Sequence, residues 1–211
     1  MLKKVLFPFL CGLLAMDVLS TAQAVELREG KHYTQLAEPV LDAPEVVEFF
    51  SFYCPPCYAF AGRYGVTRET EKVLPVGARI VKYHVSMMGP LGKELTDAWS
   101  VARILGVESQ VELPLFRAVQ EKRSINSKAD IRQVFIDAGV PAEQYDMATN
   151  SLVTRATTAT QVQAAEKFGV TGTPSLFVKG KYLVRNNGMD ATTEDEYGQA
   201  FADVVSELLK K

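Results

Sequence analysis

Residues 49–58 read Phe49-Phe50-Ser51-Phe52-Tyr53-Cys54-Pro55-Pro56-Cys57-Tyr58. A β-prone apolar run ends in two cysteines separated by two prolines, and aromatic helix material follows, so the sulfurs are predicted where a strand hands over to a helix. The first turn of a helix carries unpaired N–H groups and the positive end of the helix dipole, which together stabilise a thiolate at its first cysteine. Cys54 is therefore expected to be a reactive sulfur. Cys57, one turn further in and facing the packed side, is expected to close or open a disulfide with it. Pro55 fits the first helical position, whereas Pro56 removes a further N–H donor from the same turn.

Upstream of this stretch, residues 25–44 are polar and turn-rich and hold at most one short edge strand. The run from Glu45 to Tyr53 is almost continuously apolar, as suits a central strand buried on both faces. Downstream, a helix is expected from Cys57 to Val73, weakened or bent by Gly62 and Gly65, and a second strand from Ala78 to Val85. β, helix, β is the opening of a parallel unit. From Met87 to about Gln161 the periodicity turns helical. Helices are expected over Gly92–Leu105, Glu108–Lys122 (broken or kinked at Pro114), Lys128–Ala138, Pro141–Asn150 and Ser151–Phe168, with Gly106, Gly139 and Gly169 as stops. Ser175–Val178, a Lys179-Gly180 turn and Tyr182–Val184 then read as a hairpin, and Thr193 with Glu196 matches a capping box that opens the last helix. The organisation expected is an α/β frame formed by 25–86 and 162–211, with an all-helical insert at 87–161.

The chain opens with Lys3 and Lys4, an apolar stretch from Val5 to Ala15, and the small-residue sequence Thr21-Ala22-Gln23-Ala24, the layout of a secretory signal peptide cleaved after Ala24. Its apolar segment is too short for a membrane helix and is interrupted by Pro8 and Asp17. Cleavage removes Cys11, so Cys54 and Cys57 are the whole cysteine content of a 187-residue mature chain. A chain of that size buries a core without a staple, whereas secreted disulfide scaffolds are small and cysteine-dense. The mature chain has 21 basic and 24 acidic residues, a net charge of −3. There is no basic field to hold a phosphate backbone and no polybasic or lipid-attachment pattern, so neither nucleic acid nor a membrane surface is an expected partner.

A strand ending in Cys-x-x-Cys at a helix start, a later Thr173-Pro174 leading into a hairpin, and a terminal helix together resemble the thioredoxin superfamily. With the helical insert, the leader and the local sequences Glu48-Phe49-Phe50-Ser51-Phe52, Lys82-Tyr83-His84-Val85 and Gly188-Met189-Asp190, the chain resembles the DsbA family of periplasmic disulfide-forming oxidoreductases. It resembles the SrgA-like paralogues in having proline before the second cysteine. The likeness runs from about Gly30 to the C-terminus. It implies a thioredoxin-like fold with an inserted helical domain, Cys54 as the attacked, accessible sulfur, Cys57 as the buried one, and a cis Thr173-Pro174 bond beside the disulfide where substrate binds. It also implies reduced secreted or periplasmic proteins as substrates, a membrane oxidase of the DsbB type for reoxidation, monomeric action, and no cofactor. The family's best-known motif has a histidine where Pro56 stands. That substitution implies a less stabilised Cys54 thiolate and a weaker oxidant. Asn186 and the run Glu194-Asp195-Glu196 also depart from the family's groove for the reoxidising partner, which leaves partner choice open.

Glu48 is anomalous on physical grounds, because a carboxylate inside an apolar central strand is costly to bury alone. Lys82 on the second strand is its expected partner, and the pair is expected to tune the cysteines; the alternative is a solvated strand end. His32 and His84 are not at ligand spacing from the cysteines, so no zinc or iron–sulfur site is expected. Met87-Met88-Gly89-Pro90 reads equally well as adaptable surface near the cysteines or as a hinge into the insert. Two rival functions stand beside disulfide donation: an isomerase or reductase of the same superfamily, and a non-enzymatic peptide-binding chaperone module with a structural disulfide. Only about 20 residues separate the mature start from the first strand, too few for the dimerisation domain that such isomerases add.

Overall fold

The computed structural model describes residues 26–211, so the expected leader, its cleavage site and Cys11 lie outside the described residues. The strand predicted ahead of the cysteines is β2, Val46–Phe50, and every residue in it is buried. It pairs in parallel with β3, Val81–His84, and antiparallel with β4, Ser175–Val178. The hairpin partner β5, Tyr182–Val184, pairs antiparallel with β4 and with the short edge strand β1, Tyr33–Gln35, giving the order β1-β5-β4-β2-β3. The hairpin turn has Lys179 at φ 54° and Gly180 at φ 63°, the double left-handed conformation of a tight two-residue turn. A side chain at position 180 would also lie 2.2 Å from the Val40 carbonyl oxygen, so the turn needs glycine twice over.

The helix expected over 57–73 divides into α1, Pro55–Ala61, and α2, Val66–Val73. The break falls between the two glycines, with Gly65 at φ 58°. α1 also starts two residues earlier than expected, because proline suits a first turn in which N–H groups are unpaired anyway. Between β3 and β4 come α3 (Gly92–Leu105), α4 (Glu108–Phe116), α5 (Lys128–Asp137), α6 (Ala142–Thr149) and α7 (Leu152–Lys167). α7 runs unbroken through residue 161, so the edge of the insert placed there falls inside a helix. The helix expected over 108–122 contains Pro114 and passes into a π-helical turn at Arg117–Glu121. Proline cannot donate to the carbonyl one turn back, and the Arg117 N–H is shared between the Leu113 and Pro114 carbonyls. The last helix, α8 (Glu194–Lys210), opens with the full reciprocal capping box of Thr193 and Glu196.

Alternation along β2 distributes it among three cores. Val47 and Phe49 face a cluster with Tyr83, Phe168 and Phe177. On the other face, Val46 packs with Phe60, Leu176, Phe201 and Val205 beneath α8. Phe50 packs with Phe52, Trp99, Leu115 and Phe116 from the insert. Each fully buried side chain of this size contributes about 1.5–3 kcal/mol. Glu48 sits between Val46 and Phe50, at the seam of the last two cores.

α8 packs closely on the α1–α2 break because Gly198 has no side chain: a Cβ there would lie 2.1 Å from the Tyr64 carbonyl oxygen. Helix propensity alone favours alanine at a mid-helix glycine by about 1 kcal/mol. We expect the opposite for Gly198→Ala, a loss of about 1–3 kcal/mol from overpacking against backbone, read as a lower urea midpoint with unchanged slope.

Candidate active site

Cys54 ends the turn after β2 and is itself the N-cap of α1: its sulfur accepts from the Cys57 N–H at 3.3 Å. The Cys54 thiol in turn donates to the Thr173 carbonyl at 3.3 Å. Both cysteines are free thiols here. The Cys57 thiol donating to Cys54 draws the Cys54 thiol down to about 7; burial works against this, and Thr173 together with the Cys57 backbone N–H adds to it. Cys57 moves the other way, pushed up by burial first and by the neighbouring Cys54 second. The pair is therefore polarised, with one sulfur disposed to be an anion and the other to keep its proton.

One expectation needs correcting. Cys54 is not openly exposed: it is 2% accessible against 1% for Cys57. Thr173 lies over it, and the exposed residues of the motif are Pro55 and Pro56. The difference between the sulfurs lies in their hydrogen bonds.

The Thr173–Pro174 peptide is cis, and Pro174, next in sequence to the carbonyl that accepts from Cys54, is buried. Asn186 donates to the Pro174 carbonyl at 2.8 Å, and the Tyr197 hydroxyl donates to the Asn186 carbonyl at 2.7 Å, so Asn186 ties this loop to α8. Glu194, Asp195 and Glu196 are exposed on the first turn of α8; Glu194 reaches Arg63 at 3.4 Å, and Glu196 is used in the cap. The Met87–Pro90 segment bridges the site. The Thr173 hydroxyl contacts the Met88 sulfur at 3.6 Å, and Gly89 lies against the Tyr53 ring so closely that a Cβ would come within 2.3 Å of it.

Behind the thiols, Glu48 is 1% exposed, which excludes a solvated strand end. Lys82 Nζ is 3.1 Å from Glu48 Oε2, yet off the direction of a hydrogen bond, so both Glu48 oxygens are buried with charge attraction but no hydrogen-bond donor. The ammonium donates instead to Glu112 from α4 and to the Thr67 hydroxyl at 3.3 Å. Burial pushes the Glu48 carboxyl up, Lys82 opposes that rise, and Glu112 reinforces it. Burial would lower the Lys82 ammonium, but Glu112 and Glu48 together more than offset this and hold it above its ordinary range.

Three residues of the site escaped the sequence reading. Glu112 has no marker, lying on a helix with no clear apolar stripe. Gln120, on the π turn, donates from its single amide nitrogen to the Phe52 carbonyl at 2.8 Å and the Cys54 carbonyl at 3.0 Å. His84, considered in the sequence as a metal ligand and set aside, accepts from the Phe52 N–H at Nε2 (3.1 Å) and faces Thr96 through Nδ1 at 2.8 Å. Since Nε2 accepts, Nδ1 carries the proton and donates, and the Thr96 hydroxyl passes its own on to Gly92. Burial drops this imidazole to about 3, so it stays neutral. His32 accepts from the Arg28 N–H, away from the thiols. Among the described residues no cluster of three or more His, Cys, Asp or Glu is arranged to hold a metal, and no helix is long and apolar enough to cross a membrane.

Comparison with known proteins gives concordant matches. The DSBA-like thioredoxin domain model matches residues 45–198. The thiol:disulfide interchange protein DsbA of Salmonella typhimurium is 47% identical over 200 residues, covering 95% of this chain and 97% of the relative. Proteus mirabilis DsbA, solved with a non-covalently bound peptide PWATCDS, superposes with a TM-score of 0.85 at 48% identity, covering 89% of this chain and 100% of that one. SrgA of Salmonella enterica serovar Typhimurium gives 0.80 at 42% identity, covering 84% and 98%. The thioredoxin-like fold with helices inserted in an α/β frame is thus shared along nearly the whole length, and the chain belongs to the DSBA-like thioredoxin domain family.

Proposed function

We propose that this chain is a periplasmic thiol–disulfide oxidoreductase that donates a Cys54–Cys57 disulfide to reduced secreted proteins. The polarised pair carries this reading: a sulfur favoured as thiolate is a good leaving group, and a disulfide that includes it is readily given away. A substrate thiolate attacks Cys54 Sγ, forming a mixed disulfide and breaking the bond to Cys57, which leaves with the electron pair and takes up a proton. The substrate's second thiolate then attacks its own sulfur in the mixed disulfide and releases Cys54 as thiolate. The substrate loses two electrons and the pair gains them, with no further cofactor needed.

Thr173, whose carbonyl accepts from Cys54, and the neighbouring cis Pro174 are suited to receive the extended backbone around a substrate cysteine. The peptide complex of the Proteus mirabilis relative supports a peptide substrate here. Glu48 and Lys82 act as tuning residues, because an ionised Glu48 would oppose the Cys54 thiolate through its charge. Residues 87–161 serve as the helical insert that braces the active-site turn, and 25–86 with 162–211 form the exchanging domain. Export rests on the leader read at residues 1–24. A membrane oxidase of the DsbB type returns the protein, acting as a monomer, to its disulfide form.

Equilibration with glutathione across pH tests the reading. Reducing the disulfide with two ordinary thiols releases one proton once Cys54 stays ionised. The equilibrium constant for oxidising glutathione should therefore be flat below about pH 7 and rise about tenfold per pH unit above it, until glutathione itself ionises. The sign follows from a depressed pKa: the thiolate's stabilisation of the reduced protein is complete above the ordinary thiol range and is lost as pH falls through about 7. A pair that stays oxidised throughout is an inert staple, and the reading fails.

Pro56 bears on the same quantity. With Pro55 and Pro56 lacking N–H groups, the Cys57 N–H is the backbone donor that reaches the sulfur. Pro56→His restores one N–H and adds an imidazole, so it should lower the Cys54 pKa, followed by thiolate absorbance, and shift the glutathione equilibrium about tenfold towards reduced protein.

A further inference from the structure

The Gln120 amide lies against the two carbonyls that bracket Tyr53, immediately before the first helical residue. Both of its hydrogens are used, one on the Phe52 carbonyl and one on the Cys54 carbonyl. The Cys54 carbonyl also accepts from the Cys57 and Tyr58 N–H groups at 3.1 and 3.2 Å, whereas the Phe52 carbonyl has Gln120 as its donor. Phe52 is completely buried, so loss of that amide would strand a carbonyl in the core.

The delivery of this side chain is specific. Gln120 sits on the π turn Arg117–Glu121, closed by the Lys122 N–H donating to the Arg117 carbonyl at 2.8 Å. A π turn adds one residue to the circuit and so changes which side chain faces a neighbour; such turns recur at functional sites. The residues on either side brace the same region. Glu121 accepts from the Tyr58 hydroxyl at 2.6 Å, and the Tyr58 ring stacks on Phe116 with centroids 5.2 Å apart. The insert thus grips the active-site turn and the first turn of α1 from one side, with Gln120 reaching the carbonyl of Cys54 itself.

We infer that Gln120 is a positioning residue for disulfide exchange: it fixes the turn that makes Cys54 the N-cap of α1, and it turns the positive end of an amide dipole towards the peptide carrying the reactive sulfur. Its effect therefore depends on redox state. Holding the cap geometry keeps the Cys57 N–H on the thiolate, which exists only in the reduced protein, so loss of the amide weakens the reduced form more than the oxidised one. An acceptor in its place would face two carbonyl oxygens and add negative charge beside Cys54. The inference rests on Cys54–Cys57 being the exchanging pair.

Two variants separate the hydrogen bonds from packing. Gln120→Met keeps length and bulk but donates nothing, and Gln120→Glu reverses the polarity. Thiolate absorbance at varied pH and equilibration with glutathione are to be read for each beside the parent protein. Gln120→Met should raise the Cys54 pKa by about one unit and shift the equilibrium about tenfold towards the disulfide, with Gln120→Glu shifting both further in the same direction. A merely structural residue would lower the melting temperature of oxidised and reduced protein alike and leave pKa and equilibrium unmoved; that result overturns the inference. Should Gln120→Glu fail to fold, Gln120→Met alone decides. If the parent protein itself does not equilibrate with glutathione, the exchange reading falls, and the role of Gln120 falls with it.

Discussion

The fold turns on a single requirement: a strand buried on both faces must end, within four residues, in a helix whose first turn is short of donors. β2 contributes the rigidity, since all five of its residues are buried and both of its edges are paired. The prolines at 55 and 56 then begin α1 without offering N–H groups, which leaves the Cys57 N–H to a cap, and the cap is a sulfur. An ordinary N-cap is a hydroxyl or carboxylate accepting from the same place. Replacing it with a thiol gives the helix a cap that strengthens on ionisation, and so the need to start a helix and the need to stabilise a thiolate are met by one hydrogen bond.

The second constraint lies behind the thiols. Three ionisable groups, Glu48, Lys82 and Glu112, meet at the seam between the core under α8 and the core of the insert. One ammonium serves two carboxylates, and it hydrogen-bonds to the less buried of them. Breaking a buried ion pair by removing one partner typically costs about 3–5 kcal/mol, whereas the intact pair contributes little net stability over an apolar replacement. Such a cluster is therefore better understood through what it does to its neighbours. Burial pushes the Glu48 carboxyl up and Lys82 opposes that rise, so the balance of the two governs how much negative charge weighs against the Cys54 thiolate. Because Glu112 comes from α4, the insert takes part in the electrostatics of the site as well as in its walls.

The frame was legible in sequence because its signals are local. Proline, glycine and capping residues mark where elements end, the unbroken apolar run of β2 marks a central strand, and Cys54-Pro55-Pro56-Cys57 marks the junction. Glu48 could be singled out because a charge in an apolar run is conspicuous, and Lys82 was the charge of opposite sign on the second strand; the structure pairs the two in register. Gln120, Glu112 and His84 were not legible for a common reason. Each acts across a large separation in sequence, on a backbone group or a buried charge, and polar residues on half-exposed helices or in strands carry no periodic signature of such a role. Pro114 predicted a disturbance in its helix but not its form. Whether a helix kinks, breaks or widens into a π turn depends on what the next residues can reach, here the Phe52 and Cys54 carbonyls. The accessible Cys54 implied by the resemblance is not seen, because Thr173 lies against the sulfur and both cysteines are buried.

Exchange is directed by hydrogen bonding and not by exposure. If exposure selected the attacked sulfur, two cysteines that are 2% and 1% accessible would be nearly equivalent targets. The hydrogen bonds make them unequal. Cys54 has the Cys57 thiol, the Cys57 N–H and Thr173 around it, while Cys57 is dominated by desolvation and by the proximity of Cys54. An incoming thiolate that breaks the bond at Cys54 expels Cys57 into a place where it must take up a proton. Once protonated, Cys57 is a poor nucleophile and returns slowly to the mixed disulfide, so the substrate's own second thiolate has time to complete the transfer. Burial of Cys57 thus gives the exchange its direction, and the cap on Cys54 gives it its driving force.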